Sequence, residues 1–483
     1  MSENREKSQY DKIVEWLDNR IGIAKTPLRP IPAFSLNPIY WLGLLMALCF
    51  AMQVATGMFQ LLYYVPTSAD AYSSTTYIIQ SVPLGQLVET LHLYTAYAMI
   101  LLAMLHLTRN YFGSAHKAPR ELMWIVGWIL FLITLSMGLT GYLLPWTVIS
   151  KSATDVAIGF LNFFPAGISN ILRFIVSGSG SDDDLLQHFF IIHTVILPWA
   201  LALFLALKVY LFEVHGPSYI RAYGRGSSEI HPWFPKVFLY ALMLFSVFIA
   251  FLVTLATFVP LTLPPMFTAQ AASQYVVQPD WYLLWLYQIL KLDVFEGAFA
   301  VVALALVSAF LVILVLLPFY DRSKRRDIVT RPIFTTIGAV IVTEFVVLTV
   351  WGYLTPGQVI SNWDAIAVLG MPALIVILVT HLLFDRRKKT QISMDIAGEV
   401  RTNVATNMNK ALMISKGYGP FTGFFVILLG VASVSIATLV NSLSSILSNM
   451  PIIALTLTLL ISSLFFMLRM FGRIVMAYEE EHK

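Results

Sequence analysis

The chain has 483 residues, of which 58 % are hydrophobic and only 12 % are charged. Soluble domains carry about 25 % charged residues, so this composition indicates an integral membrane protein. Cys49 is the only cysteine, which excludes disulfides, zinc–cysteine sites and iron–sulfur clusters held by this chain alone. The N-terminal segment 1–19 is charged and lacks an apolar core, which predicts that no signal peptide is cleaved. The net charge of +4 is small and gives no reason to expect a nucleic-acid partner.

Apolar segments long enough to cross a bilayer recur along the chain, because a helix needs about 20 residues to span the hydrocarbon layer. Transmembrane strands are shorter and alternate in polarity, so the predicted fold class is an all-α bundle of about ten transmembrane helices. Short helices at a membrane surface are expected between spans 3 and 4. The predicted spans 1 to 10 cover residues 39–63, 87–111, 121–145, 186–212, 237–259, 298–319, 333–354, 366–384, 417–440 and 450–475.

Basic residues predict the orientation of these spans in the membrane. Lys and Arg are concentrated in the N-terminal tail and in every second loop after it, such as the runs in 321–331 and 386–389. Because loops rich in Lys and Arg stay on the cytoplasmic side, both termini are expected to be cytoplasmic. The predicted location is the cell membrane, with several passes of the chain.

Histidines inside the spans are candidate ligands of a cofactor. His92 and His106 lie fourteen residues apart on span 2, which places them on one helix face about 21 Å apart. His193 lies on span 4, and the position fifteen residues later is Lys208. A helix loosened by Pro198 would bring this longer interval onto one face. Ligands at two depths could hold two stacked haems; the alternative is that the histidines only hydrogen-bond neighbouring helices.

Glycines repeat the interval of the histidine pair. Gly43 and Gly57 on span 1 are fourteen residues apart, as are Gly127 and Gly141 on span 3. Glycine has no Cβ atom and therefore lets a flat macrocycle approach the backbone. Glycines also serve plain helix packing in membranes, but two pairs with the histidine interval favour the macrocycle.

Four short motifs follow each other in the chain. They are Gln53-Val-Ala-Thr-Gly57, Gly141-Tyr-Leu-Leu-Pro-Trp146, His193-Thr-Val-Ile-Leu-Pro198 and Pro279-Asp-Trp-Tyr282. These motifs resemble those of cytochrome b, the haem-carrying, quinol-oxidising subunit of cytochrome bc-type complexes. The third motif is most similar to the chloroplast-type branch, and the fourth is similar to the Pro-Glu-Trp-Tyr motif of the family. The resemblance covers roughly residues 10 to 385 and suggests a prokaryotic protein, with an archaeal type among the alternatives.

The resemblance implies which residues bind two haems, of b-type or a variant. His92 and His193 would bind the iron of an outer haem, and His106 that of an inner haem, with the four glycines beside them. Lys208 stands where the family has the fourth histidine. Its neutral amine could bind iron, or its ammonium could extend to the membrane interface and leave the inner haem absent or held by His106 alone. Arg109 would pair with a haem propionate, unless it is an ordinary basic anchor.

The resemblance also implies a quinol site, with Asp280 in place of the glutamate of the family. Asp280 would accept a proton from quinol, and Tyr282 would flank the same pocket, together with residues 141–146 and 150–165. One electron would pass to a Rieske iron–sulfur protein. The other would cross the membrane through the two haems to a quinone. A second departure is Glu89, which replaces an arginine that contacts the outer haem in the family.

The implied partners are the Rieske protein, a terminal oxidase or cytochrome c-type subunit, membrane lipid and a second copy of the chain. The alternatives are a di-haem membrane anchor of a dehydrogenase, a proton-coupled transporter, and a structural subunit that has lost the inner haem.

The expected domains are an N-terminal segment (1–38), the haem-binding four-helix bundle (39–235), a part with the quinol-site loop (236–385), a polar linker (386–416) and an extra helix pair (417–483).

Overall fold

The computed structural model describes residues 31–32, 36–218, 230–231, 233–322, 325–326 and 328–398. Within this part of the chain, seven helices are long and apolar enough to cross a membrane. The all-α membrane fold is therefore confirmed. The seven are span 1 (Leu42–Gln60), span 2 (Gly85–Phe112), span 3 (Glu121–Leu143), span 4 (Asp182–His215), span 5 (Phe238–Phe258), span 7 (Pro332–Leu354) and span 8 (Asn362–Phe384).

The remaining predicted spans have different outcomes. Span 6 is the shorter apolar helix Ala300–Val315, followed by one further turn, Leu317–Tyr320, which contains Pro318. The helix of span 8 continues to Gly398, into the predicted linker. The rest of that linker and the predicted spans 9 and 10 lie outside the described residues.

Shorter elements connect the spans. The expected surface helices between spans 3 and 4 are present, and the second of them leaves Ile171 and Phe174 more than half exposed. The short α-helices are Ala71–Ser81, Val148–Gly159, Ala166–Ser177, Ala269–Ala272 and Leu284–Leu290. The 3-10 helices are Pro38–Tyr40, Phe160–Phe163, Trp281–Leu283, Asp293–Phe295, Gly297–Phe299 and Ile328–Thr330. A π-turn, Trp233–Val237, leads into span 5, and strands Ile31–Pro32 and Ile230–His231 pair antiparallel.

Spans 1 to 4 form one bundle. Span 1 packs along span 2, and span 3 packs along span 4. Cys49 of span 1, Met99 and Leu102 of span 2 and Leu201 of span 4 are buried against one another, with side chains of span 3 beside them. This shared core fixes the relative positions of the four helices that carry the candidate ligands.

A π-turn, Ile192–Ile196, interrupts the α-helical hydrogen bonding of span 4 at His193. Pro198 follows it, and because proline has no N–H it cannot donate to the carbonyl of Thr194. A π-turn accommodates one extra residue. The fifteen-residue interval from His193 to Lys208 therefore turns through about the same angle as fourteen residues of regular helix.

A buried ion cluster joins the loop after span 2 to the loop before span 7. The Asp321 carboxylate lies 2.9 Å from Nζ of Lys117 and 2.9 Å from Nε2 of His116, and it also accepts a hydrogen bond from Arg331. Burial lowers the pKa of His116 to about 4, so its ring is neutral at pH 7. Burial would raise the pKa of Asp321, but the hydrogen bonds from Lys117 and His116 and the charge of Arg331 lower it overall.

Replacing Asp321 with asparagine is expected to destabilise the protein by about 3–5 kcal/mol, because Lys117 and Arg331 would lose the buried countercharge. Since the pKa of Asp321 is lowered on folding, its contribution is present at neutral pH and lost as the pH falls below the ordinary aspartate range. Thermal unfolding in detergent measures the change. The control is the exposed Asp364 in the first turn of span 8, whose carboxylate accepts a hydrogen bond from the Ser361 hydroxyl, and Asp364→Asn should cost about 1 kcal/mol at most. Equal effects of the two substitutions would contradict the prediction.

Candidate functional site

The structure brings His92 and His193 together between spans 2 and 4, with their ring planes at 73° to each other, at what we call site 1. Their ring centroids are 6.3 Å apart. At this separation, the two imidazoles could together hold one metal-containing group. A Cβ atom on Gly57 would lie 3.3 Å from Cε1 of His92, and one on Gly141 only 2.6 Å from Cε1 of His193. Each histidine of site 1 thus lies against one of the predicted glycines.

Two threonines orient the rings of site 1. Oγ1 of Thr56 lies 2.8 Å from Nδ1 of His92, and Oγ1 of Thr140 lies 3.2 Å from Nδ1 of His193. Each hydroxyl donates its own proton to the carbonyl four residues earlier in its helix. Each hydroxyl must therefore accept a hydrogen bond from Nδ1–H of its histidine. This tautomer leaves a lone pair on Nε2 for a metal. Sequence reasoning missed both threonines, although each directly precedes one of the singled-out glycines.

His106 and Lys208 lie together at the second depth, which we call site 2. A Cβ atom on Gly43 would be 3.5 Å from Cε1 of His106, and one on Gly127 would be 3.1 Å from Nζ of Lys208. The two ligand candidates lie within electrostatic reach of each other. Nδ1 of His106 is buried and has no hydrogen-bond partner among the described residues. Nζ of Lys208 donates to the carbonyl of Met123.

Arg109 and Glu89 lie near opposite ends of span 2. The guanidinium of Arg109 donates to Asn110 (2.7 Å), lies over the ring of Tyr40 at 4.3 Å and is within electrostatic reach of His106. Arg109 is therefore near site 2. Glu89 precedes His92 by about one helical turn, near site 1.

Asp280 lies close to three tyrosines, one turn before the short helix Leu284–Leu290. The hydroxyl of Tyr97 donates to Oδ1 of Asp280 at 2.7 Å. Tyr142 and the buried Tyr282 are within electrostatic reach of the carboxylate. Burial raises the pKa of Asp280, while hydrogen bonds from Tyr97 and the Trp281 backbone partly lower it. The sequence offered no signal for Tyr97, because only the fold brings span 2 beside residue 280.

Two contacts link span 3 and the surface helix after it to the connection between spans 5 and 6. A Cβ atom on Gly138 of span 3 would lie 2.8 Å from the hydroxyl of Tyr282. The surface helix that begins at Val148 is bound to the connection after span 5, since its first N–H donates to the carbonyl of Pro265 at 2.9 Å. Lys151 of that helix pairs with Asp155 at 2.6 Å and with Asp182 at 3.2 Å.

Sites 1 and 2 fit a cofactor that brings most of its own metal ligands. Among the described residues, no three His, Cys, Asp or Glu side chains converge to hold a metal ion. Each site instead has two opposed nitrogen donors, with glycines on the flanking helix where a Cβ atom would crowd the donors. An iron porphyrin would be held by His92 and His193 at site 1 and by His106 and Lys208 at site 2, with the glycines leaving space beside these donors.

Comparisons with known proteins agree with this arrangement. The family model described as cytochrome b/b6/petB matches residues 29–216, and that described as cytochrome b(C-terminal)/b6/petD matches residues 268–371. Cytochrome b of Sulfolobus acidocaldarius is 32 % identical over 430 residues, which are 81 % of this chain and 74 % of that protein. Cytochrome b6 of a Synechococcus species is 35 % identical over 213 residues, which are 43 % of this chain and 98 % of the relative.

A solved structure described as a hyperthermophilic respiratory Complex III is also similar. It matches with a TM-score of 0.63 and 26 % identity, over 76 % of this chain and 97 % of that chain. Sequence and structure thus point to the same family, which binds haem and works within multisubunit redox complexes of the bc and b6f types. The chain belongs to the cytochrome b family.

Proposed function

We propose that the chain is the quinol-oxidising subunit of a respiratory bc-type complex and holds two haems, one at site 1 and one at site 2. The observation that carries the proposal is the correspondence between four donors and four glycines at two depths of one bundle. His92 and His193 would hold one haem, and His106 and Lys208 the other, with Arg109 near a propionate of the second. Each haem, when bound, would supply one-electron transfer.

Asp280 would take a proton from quinol in the tyrosine-lined pocket. A general base must be ionised and within hydrogen-bond reach of the proton that it accepts. The contact with Tyr97 supports both conditions, because a donor at 2.7 Å favours the carboxylate and fixes its position. Tyr282 would close one side of the pocket, since its side chain is buried against span 3.

The orientation of the site and its partners belong to the same proposal. The asymmetry of basic loops favours cytoplasmic termini, which would place site 1 and Asp280 toward the outer face of the cell membrane. With Cys49 as its only cysteine, the chain would pass one electron to a separate Rieske iron–sulfur protein. A terminal oxidase or a cytochrome c-type subunit would receive it next, within a complex that contains two copies of the chain.

The substitution Asp280→Asn tests the proposal. It is expected to slow quinol oxidation about 100-fold, because an amide of nearly the same shape cannot accept the proton. Asp280→Glu restores a carboxylate and should keep most of the rate. Stopped-flow reduction of the purified complex by a quinol analogue measures both variants, and their haem content should equal that of the wild type. A wild-type rate in Asp280→Asn would refute the proposed quinol site and favour a plain di-haem anchor.

A further inference from the structure

One side chain fixes Asp280 to the haem-binding bundle. Tyr97 of span 2 donates its hydroxyl proton to Oδ1 of Asp280 at 2.7 Å, and its ring packs edge-on against Trp281 with a centroid distance of 6.1 Å. Hydrogen bond and ring contact come from the same residue. Asp280 and its neighbour are therefore both held against span 2.

The surroundings of Asp280 give this contact its importance. Asp280 has an extended backbone, with φ −58° and ψ 156°, in the irregular connection that precedes the 3-10 turn Trp281–Leu283. The titratable groups within electrostatic reach of its carboxylate are Tyr97 from span 2, Tyr142 from span 3 and Tyr282 from its own segment. In the described part of the chain, Tyr97 alone among these three donates a hydrogen bond to it.

We propose that Tyr97 is a positioning residue for quinol oxidation, which holds the Asp280 carboxylate ionised and directed into the pocket. This inference rests on the proposed role of Asp280 as proton acceptor. A neutral phenol that donates to a carboxylate favours the ionised form. The hydrogen bond from Tyr97 thereby lowers the pKa of Asp280 and counteracts the increase that burial causes. Without this donor, Asp280 would bind a proton at higher pH and could no longer accept one from quinol there.

The test compares the pH dependence of quinol oxidation in wild type and Tyr97→Phe, between about pH 5.5 and 9. Loss of a hydrogen bond to a charged group is expected to lower the rate about tenfold at neutral pH and to move the acid limb of the profile about one unit upward. The matched control is Tyr94→Phe on the same helix, whose hydroxyl donates to the carbonyl of Val259 at 2.6 Å. That variant should keep the wild-type profile, and all variants should keep their haem.

A double-mutant comparison separates positioning from a general effect on the fold. In the Asp280→Asn background, Tyr97→Phe should change the rate less than twofold, because the two residues act through one carboxylate. The infrared C=O band of protonated Asp280, identified by its loss in Asp280→Asn, should titrate about one unit higher in Tyr97→Phe.

Three outcomes would overturn the inference in distinguishable ways. A wild-type pH profile and infrared titration in Tyr97→Phe, with activity lost in Asp280→Asn, would refute the role of Tyr97 and leave that of Asp280 intact. A tenfold loss from Tyr97→Phe that persists in the Asp280→Asn background would show that Tyr97 acts elsewhere. Full activity of Asp280→Asn would refute the proposed quinol site, and the role of Tyr97 with it.

Discussion

Replacing Lys208 with alanine is expected to lower the haem content from two per polypeptide to one. Lys208 is the amine that the bundle places within electrostatic reach of His106 in site 2, and alanine offers no nitrogen ligand there. Site 2 would then hold its haem through His106 alone, with one protein–iron bond fewer than in the wild type. Pyridine haemochrome assay of the purified protein measures the ratio of haem to polypeptide.

Two further variants make the Lys208 result specific. Lys208→His supplies an imidazole at the same position and should retain two haems, with an altered low-spin spectrum at site 2. His188→Ala is the control, because His188 precedes the π-turn and its Nδ1 lies 2.8 Å from the carbonyl of Ile175. That variant should keep both haems. Two haems with an unchanged spectrum in Lys208→Ala would exclude lysine ligation, and one haem in wild type and variant alike would show that site 2 holds none.

The contact between Lys208 and Met123 sets a condition on lysine ligation. The amino group donates to a backbone carbonyl of span 3, next to Gly127, and so lies against the flanking helix. To bind iron the amine must be neutral and must direct its lone pair at the metal, while one of its two N–H groups can keep this hydrogen bond. Low pH should therefore remove the site 2 low-spin signal before that of site 1, where both donors are histidines.

Local sequence patterns were sufficient for the parts of the fold and site that depend on spacing along one helix. The histidine and glycine intervals and the apolar lengths of the spans are of this kind, and the structure puts each donor of sites 1 and 2 opposite a glycine. Pro198 signalled a disturbed helix, but the π-turn at His193 depends on how span 4 satisfies its backbone hydrogen bonds.

Features that join distant segments could not be predicted from the sequence. Tyr97 and Asp280 are 183 residues apart, and Lys117 and Asp321 meet only because two loops fold together. A lone tyrosine in an apolar helix is ordinary, and a basic residue in a loop is usually solvated. The meaning of such residues appears only when the bundle places them beside a buried carboxylate.

Adding a side chain at Gly141 is expected to empty site 1. A Cβ atom there would lie 2.6 Å from Cε1 of His193 and 3.1 Å from both ring nitrogens, so the ring must move. This ring donates a hydrogen bond from Nδ1–H to the hydroxyl of the adjacent Thr140, at 3.2 Å, and displacement would break it as well. One substitution would thus displace the His193 ring and remove the hydrogen bond that orients it. Gly141→Val should therefore reduce the haem content from two to one, and the spectrum of site 1 should be missing.

The other glycines provide a graded series for the same assay. Gly57→Ala places a Cβ atom 3.3 Å from His92, and Gly43→Ala places one 3.5 Å from His106, so haem loss should decrease from Gly141 to Gly57 to Gly43. Gly370→Ala in span 8 meets no atom within 4 Å and should keep both haems. Equal haem loss across the series would mean that these glycines serve helix packing in general. A loss that follows the distances would assign them to the space beside the ligands, because the distance from the added Cβ atom to the histidine ring increases from Gly141 to Gly57 to Gly43.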